Sequence, residues 1–185
     1  MMQQWNLPEI VTHNYDPRRG RFQNLCDLPA SDAENILQDI RQSGLTKIKR
    51  NYLDRRLRTE TWLREKRQNL IGITPRNTPI YFFLGDFSDG KDISRPKSVH
   101  IQLSDFNEDM ITFTYSDSMN CFEETDDTRI NIPPFNGQLF TLRQLKTVVS
   151  NWGLPACYTS KNATKTTFIE MQLWDNDPIC KISFD

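Results

Sequence analysis

The chain has 185 residues, of which 37% are hydrophobic and 25% charged, and its formal net charge is −1. A chain of this length is expected to form one domain that buries roughly two-thirds of the surface exposed by its unfolded state. The composition excludes a disordered or fibrous protein, and the longest apolar runs fall far short of the ~20 residues that a membrane-spanning helix needs.

The cysteines and the N-terminus indicate the compartment. The four cysteines are Cys26, Cys121, Cys157 and Cys180. None belongs to a CxxC pair or lies near a histidine at zinc-ligand spacing, so we predict no metal site. The N-terminus lacks the basic and then apolar pattern of a secretory signal. We therefore expect free thiols in a reducing cytoplasm.

The N-terminal part, residues 1–28, mixes apolar side chains with Pro, Asn and Arg, which predicts an irregular arm or a short strand packed on the body. A basic helical part over residues 29–72 follows. Its first helix has Ser31 as the predicted N-cap, because a serine hydroxyl can accept a hydrogen bond from the first turn. Gly44 ends this helix, and the apolar residues between the two recur at helical spacing.

A second, longer helix is predicted over residues 46–70 and is closed by Gly72. Between residues 47 and 67, nine basic residues stand against three acidic ones, a balance of +6. Residues 86–127 hold eleven acidic and three basic residues, a balance of −8. The basic helix is therefore either a solvated face, paired with the acidic half of the domain, or a cationic surface for a partner.

A cationic surface on this helix predicts an anionic partner. Arg55, Arg56 and Arg58 are the candidate contact residues. We expect a protein partner first and nucleic acid second, since basic residues bind phosphate backbones by releasing counterions. The near-neutral net charge of the whole chain argues against a dedicated nucleic-acid-binding protein.

The strand-rich part spans residues 79–185. Its predicted strands are residues 79–86, 97–106, 110–117 and 166–175. The first pattern indicates a fully buried strand, whereas the second and third alternate apolar and polar side chains, which is typical of half-buried strands. A third helix is predicted over residues 141–152, with Thr141 as its N-cap and Gly153 at its end.

The order of these elements predicts the fold class. Two helices are followed by strands, a helix and a final strand, with no internal repeat and no regular β–α–β alternation. This order argues against a doubly wound parallel sheet. We predict a single α+β domain: a mixed, mainly antiparallel sheet with an N-terminal helical pair and one further helix before the last strand.

Two polar clusters in the strand-rich part supply the candidate catalytic residues. Tyr115 and Ser116 lie at the end of a predicted strand, where functional groups collect. Glu170 alternates with Gln172 and aromatic residues, so a partly buried carboxylate with a raised pKa is expected, as in a functional acid or base. The alternative is a structural glutamate on an edge strand, paired with an arginine.

Most of the chain resembles a family of bacterial proteins of unknown function. The similarity covers residues 24–182 and is carried by the segments "NYLDRRLRTETWL", "PIYFFLGD", "RPKSVHIQLSDFNEDMITFTYSDSM", "LFTLRQL" and "FIEMQLWDNDPI". The resemblance implies a bacterial, cytoplasmic protein and brings no activity with it.

A second resemblance is to small ADP-ribosyltransferase toxins. Its segments, in chain order, are "AENILQDIRQSGL", "TFTYSDS" and "FIEMQLWDNDP". By this resemblance Glu170 would polarise the ribose of NAD, and Tyr115 or Ser116 would hold the nicotinamide ribose. Arg50 or Arg55 would bind the pyrophosphate. The acidic–x–Glu pair of those toxins is replaced here by Glu, Met and Gln at positions 170–172.

Two functions therefore compete. The first is a non-catalytic binding module that contacts a protein partner through the basic helix or the acidic strand-rich region. The alternative is an NAD-using transferase of the toxin type that modifies nucleic acid or protein, with NAD as its cofactor.

Overall fold

The computed structural model describes residues 6–88, 92–122, 135, 137–159, 168–177 and 179. Its helices and strands are, in chain order, β1 (Ile10–Tyr15), α1 (Ala30–Ser43), α2 (Tyr52–Leu70), β2 (Ile80–Leu84), β3 (Lys97–Gln102), β4 (Ile111–Thr114), α3 (Ser118–Phe122), α4 (Leu142–Trp152), α5 (Ala156–Thr159) and β5 (Glu170–Leu173). The α+β prediction is confirmed. None of the described helices combines the length and the apolar character that crossing a bilayer requires.

The five strands form one sheet in the order β3-β1-β2-β5-β4, and each pair of neighbours is antiparallel. β1 lies inside the sheet, between β3 and β2, so of the two alternatives for the N-terminal part the short strand is found in residues 10–15 and the irregular arm is corrected there. The strand lacks an alternating pattern because Val11, Thr12 and His13 are all buried. β5 also lies inside the sheet, which corrects the edge-strand position considered for Glu170.

One face of the sheet carries the main hydrophobic core. Ile80, Phe82 and Leu84 of β2 point to this face and are almost fully buried. α4 packs on it through three apolar residues, Leu142, Leu145 and Val149. Local signals fix α4 as predicted: Thr141 and Gln144 form a capping box, and Gly153 ends the helix.

The opposite face of the sheet is polar, although it is covered. Its residues, identified by the cross-strand pairs, include Tyr81, Thr112, Thr114, Glu170 and Gln172. α2 lies over this face, and α3 packs beside α2. β4 and β5 are consequently buried on both faces, so the half-buried strand predicted for β4 is wrong.

The two N-terminal helices are present, but their starts differ from the prediction. α1 begins one residue before Ser31, with Pro29 at its N-cap, whereas Gly44 ends it in the left-handed conformation as predicted. α2 begins only at Tyr52. The Arg41 side chain of α1 donates to the carbonyls of residues 48 and 49, which holds that segment outside the helix.

α2 turns an unexpected side toward the sheet. Its buried residues are Arg56, Thr59, Glu60, Leu63 and Arg67. Leu63 is the one apolar residue among them, whereas Leu57 lies on the outer side of the helix and is 43% exposed. The polar sheet face beneath the helix explains the difference, because buried polar groups need polar partners.

His13 fastens β1 to its surroundings as a neutral imidazole. Its Nδ1 donates to the carbonyl of Tyr81 at 2.9 Å, and its Nε2 accepts the backbone N–H of Phe22 at 2.9 Å. A second proton would break the bond from Phe22. Burial lowers the pKa of His13 from 6.5 to about 4.

We predict that His13→Gln destabilises the protein less at acid pH than at neutral pH. The unfolded chain takes up a proton near pH 6.5 and the folded chain only near pH 4, so wild type loses stability as pH falls through this window. The loss is on the order of 3 kcal/mol. Urea unfolding of both proteins at several pH values measures the difference.

The control is Gln102→Asn, because Gln102 is exposed on β3 and carries no ionisable group. Its effect on stability should change little over the same pH range. A His13→Gln penalty that stays constant between about pH 7.5 and pH 4 would contradict the assignment of His13 as a buried neutral group.

Candidate functional site

A buried ionic cluster of Asn24, Arg56, Glu60 and Tyr81 joins α2 to the sheet. Glu60 Oε1 accepts hydrogen bonds from Asn24 Nδ2 at 3.0 Å, from the Tyr81 hydroxyl at 2.8 Å and from Arg56 Nε at 3.2 Å. The Arg56 guanidinium lies over the Tyr81 ring, 3.8 Å from its centre. Three donors, one of them a cation stacked on an aromatic ring, thus hold one carboxylate in place.

The cluster keeps Arg56 charged inside the protein. Burial alone would lower the pKa of this guanidinium, but the acidic groups around it, Tyr81, Glu60 and Glu170 among them, outweigh burial and raise it. Glu60 Oε2 is buried and has no hydrogen-bond partner among the described residues. One half of the carboxylate is therefore fully satisfied by donors and the other half is not.

A chain of hydrogen bonds leads along the polar sheet face to Glu170. Trp174 Nε1 donates to Thr112 Oγ1 at 2.8 Å, and that hydroxyl donates to Gln172 Oε1 at 3.0 Å. Gln172 Nε2 donates one hydrogen bond to Thr114 Oγ1, at an N–O distance of 3.1 Å, and one to Glu170 Oε1, at 3.0 Å. This chain fixes the rotamer of Gln172 and aims one amide donor at the Glu170 carboxyl group.

Glu170 is only 6% exposed and has an unusual pKa. Burial raises the pKa of Glu170 from 4.5 to about 7, and the negative charge of Asp117 adds to the rise, while Arg56, Ser118 and Gln172 oppose it. Asp117 Oδ1 also accepts the Met119 N–H at 2.8 Å at the start of α3. A carboxyl group with a pKa near neutrality can exchange a proton at physiological pH.

The candidate residue Tyr115 does not join Glu170. It lies on the opposite face, in the hydrophobic core, where its hydroxyl donates to the Gly153 carbonyl at 2.5 Å. Burial raises the pKa of Tyr115 to about 12. The grouping of Tyr115 with Glu170 is corrected: Thr114 pairs with Glu170, and neighbouring residues of a strand point to opposite faces. The Ser116 carbonyl accepts a hydrogen bond from Thr114.

The four candidate arginines differ in exposure. Arg58 on α2 is exposed, Arg55 is half-buried, and Arg50 is exposed in the turn before the helix. The assignment of Arg56 to a partner-binding surface is corrected, since its guanidinium is held inside the ionic cluster. Glu60 was not among the predicted site residues, although its spacing of four residues from Arg56 is an ion-pair signal on a helix.

Most charged residues of α2 and of the turn before it that are not buried are basic. Of the charged residues between positions 47 and 67, Arg56, Arg67 and Glu60 are buried. Seven basic residues then stand against two acidic ones, a balance of +5. Within residues 47–67, a surplus of positive charge therefore remains outside the buried cluster, while residues 89–91 and 123–127 of the acidic region lie outside the described residues.

A shallow groove of about 380 Å³ runs along the outer side of α2 and is bordered by Phe122 of α3. We name it the α2–α3 groove; it is lined by Leu57, Arg58, Thr61, Trp62, Glu65 and Phe122. The rings of Trp62 and Phe122 lie 5.6 Å apart. Leu57 and Thr61 are four residues apart, and this spacing is the sequence signal that could have suggested a common surface.

No family model, curated protein or solved structure matches the chain. In the part of the chain that the structure describes, no three His, Cys, Asp or Glu side chains are grouped so that they could hold a metal ion. The interpretation of the site therefore depends on its own geometry and charge.

We predict that Glu170→Gln stabilises the protein above neutral pH. The folded pKa of about 7 exceeds the ordinary value of 4.5, so stability is lost as pH rises through this window and the carboxylate ionises in place. Gln keeps the acceptor for Gln172 and removes the charge. We expect a gain of about 1–3 kcal/mol at about pH 8 and little gain below about pH 4.5, measured by chemical unfolding.

Glu65→Gln is the matched control, because Glu65 is exposed on α2. It should leave the free energy of unfolding nearly unchanged at every pH. A Glu170→Gln protein that is less stable than wild type at about pH 8 would show that the ionised carboxylate is a net stabilising group.

Proposed function

We propose that this protein is a non-catalytic interaction module that binds an anionic protein partner through the outer face of α2. One observation carries the proposal: the exposed side of this helix combines a surplus of positive charge with the apolar α2–α3 groove. Large apolar side chains beside cations on a fixed surface are typical of protein-binding sites.

The inner side of α2 supports the proposal. Arg56 and Glu60 anchor the helix to the sheet through the ionic cluster, and Arg67 donates to the carbonyls of Gly72 and Asp109. A helix held at both ends presents its outer side chains in a fixed arrangement. Such preorganisation reduces the entropy lost when a partner binds.

A protein partner accounts for the surface better than nucleic acid does. A groove that binds a phosphate backbone is lined by basic residues along its length, whereas the α2–α3 groove also contains Glu65. A protein segment can place a neutral or basic side chain beside Glu65, and a phosphate backbone cannot. Leu57 offers a base nothing to stack on, but it fits an apolar side chain. The positive charge around the groove then selects an acidic partner and steers its approach.

We predict that charge reversal of Arg58 and Lys66 weakens binding of an acidic amphipathic peptide. The probe is a labelled peptide of four helical turns, with leucines at helical spacing, glutamates between them in one half and glutamines in the other half. Wild type should bind it, and binding should weaken as ionic strength rises from about 0.05 to 0.2 M. The double variant Arg58→Glu, Lys66→Glu should lose at least about tenfold in affinity, measured by fluorescence anisotropy.

Arg143→Glu with Lys146→Glu is the matched control. Both residues are exposed on α4, so the net charge changes equally on a different helix. This control should bind like wild type. Equal binding by both double variants, or equal binding of a peptide with lysines in place of glutamates, would contradict a specific site on α2.

The second candidate function is the NAD-using transferase. The pKa of Glu170 near 7 favours it, because an acid or base of this strength suits group-transfer chemistry. Its burial counts against it, since Arg56, Asp117 and Cys121 surround the carboxyl group from α2 and the α3 segment. Tyr115 also lies on the other side of the sheet.

Calorimetry with NAD separates the two functions. For an interaction module we expect no saturable heat at millimolar NAD, because Glu170 is only 6% exposed and Tyr115 lies in the hydrophobic core on the other side of the sheet. Saturable binding together with nicotinamide release by wild type, and no release by Glu170→Gln, would favour the transferase and contradict our proposal.

A further inference from the structure

We propose that the α2–α3 groove takes the apolar side chains of an acidic amphipathic segment of the partner protein. This inference depends on the proposed function and names the kind of segment that the outer face of α2 binds. The occupant is one partner segment with two chemical parts: leucine-like side chains for the floor of the groove and carboxylates for its basic end.

The apolar part follows from the side chains that line the groove. Leu57 is 43% exposed, and Trp62 is half-buried and packs its ring against Phe122 of α3. Leu57 and Thr61 are four residues apart, so both lie on one side of the helix with Trp62 beside them. The groove thus has an aliphatic side chain at one end and an aromatic pair in its middle.

The charged part follows from the order of residues along α2. Arg58 lies near the first apolar contact, and Glu65 follows seven residues later, about 10 Å along the helix axis. Opposite charges at the two ends give the groove a direction. An occupant with a carboxylate near Arg58 and a neutral or basic group near Glu65 matches both, and Lys66 adds a second exposed cation.

The shape of the groove supports a peptide side chain over a small metabolite. Small-molecule sites are enclosed clefts of roughly 300–1,000 Å³ that bury most of the ligand. The α2–α3 groove has a volume of about 380 Å³, but it is shallow and runs along the helix. Amphipathic segments bind in such grooves through residues at helical spacing.

The test compares two acidic peptides that differ only in their apolar residues. One is the leucine and glutamate peptide already described, and in the other serines replace the leucines. Wild type should bind the leucine peptide at least about tenfold more tightly. Leu57→Ser should remove most of this difference, and the methyl resonances of Leu57 should shift when the leucine peptide is added to labelled wild type.

Leu45→Ser is the matched control, because Leu45 is 47% exposed and lies outside the groove. It should bind both peptides like wild type. Since Leu57 is exposed, its replacement leaves the fold intact, and the peptide comparison on wild type does not depend on any variant.

Each other outcome has a distinct meaning. Equal binding of both peptides, lost in the Arg58→Glu, Lys66→Glu variant, would overturn the groove inference and leave the proposed function standing. Absence of binding by either peptide would overturn both. Single-stranded DNA that binds more tightly than the peptide in competition would overturn the inference, because the occupant would be nucleic acid. A wild-type dimer in sedimentation that Leu57→Ser dissociates would also overturn it, because the occupant would be a second copy of the chain.

Discussion

The structure depends on how Arg56 and Glu60 are satisfied beneath α2. The attraction within a buried ion pair offsets the cost of desolvating its charges only when the geometry is good and further hydrogen bonds satisfy the remaining polar atoms. Glu60 Oε1 accepts from Asn24, Tyr81 and Arg56, and these residues come from three separate segments of the chain. Loss of either charge would strand the other, at a cost of about 3–5 kcal/mol. α2 can therefore neither rotate nor slide on the sheet without breaking the cluster.

This constraint decides which side of α2 faces the solvent. Because the helix packs on polar sheet residues, its apolar side chains Leu57 and Trp62 are left at the surface beside Arg58. Large apolar residues are usually interior, so Leu57 and Trp62 by themselves would predict that the outer side of α2 packs on the sheet. The sheet decides which side of α2 packs on it, because Thr112, Gln172 and their neighbours present polar groups and no apolar surface. The same anchoring that removes Arg56 from the surface thus creates the surface on which the function is proposed.

Local signals predicted some parts of the fold, whereas long-range pairing determined the others. Gly44 and the N-cap residue Thr141 act within one helical turn, so local signals predicted both. Local signals could not decide between an irregular arm and a short strand at β1, because its burial on both faces comes from pairing with β2 and β3, which are distant in the chain. Which strand face carries Glu170 depends on a register between β4 and β5 that no local pattern contains.

The two candidate functions compete for the same two helices. Glu170 is enclosed because Arg56 of α2 approaches it from one side, and Asp117 and Ser118, at the start of α3, approach it from another. The α2–α3 groove exists because the same two helices hold Trp62 against Phe122. A substrate could reach the carboxyl group only if α2 or α3 moved away, and this movement would separate the groove walls. A movement of α2 would also break the hydrogen bonds of Glu60 to Asn24 and Tyr81. The arrangement that gives Glu170 its raised pKa is therefore the one that builds the binding surface, and in this conformation it encloses the carboxyl group.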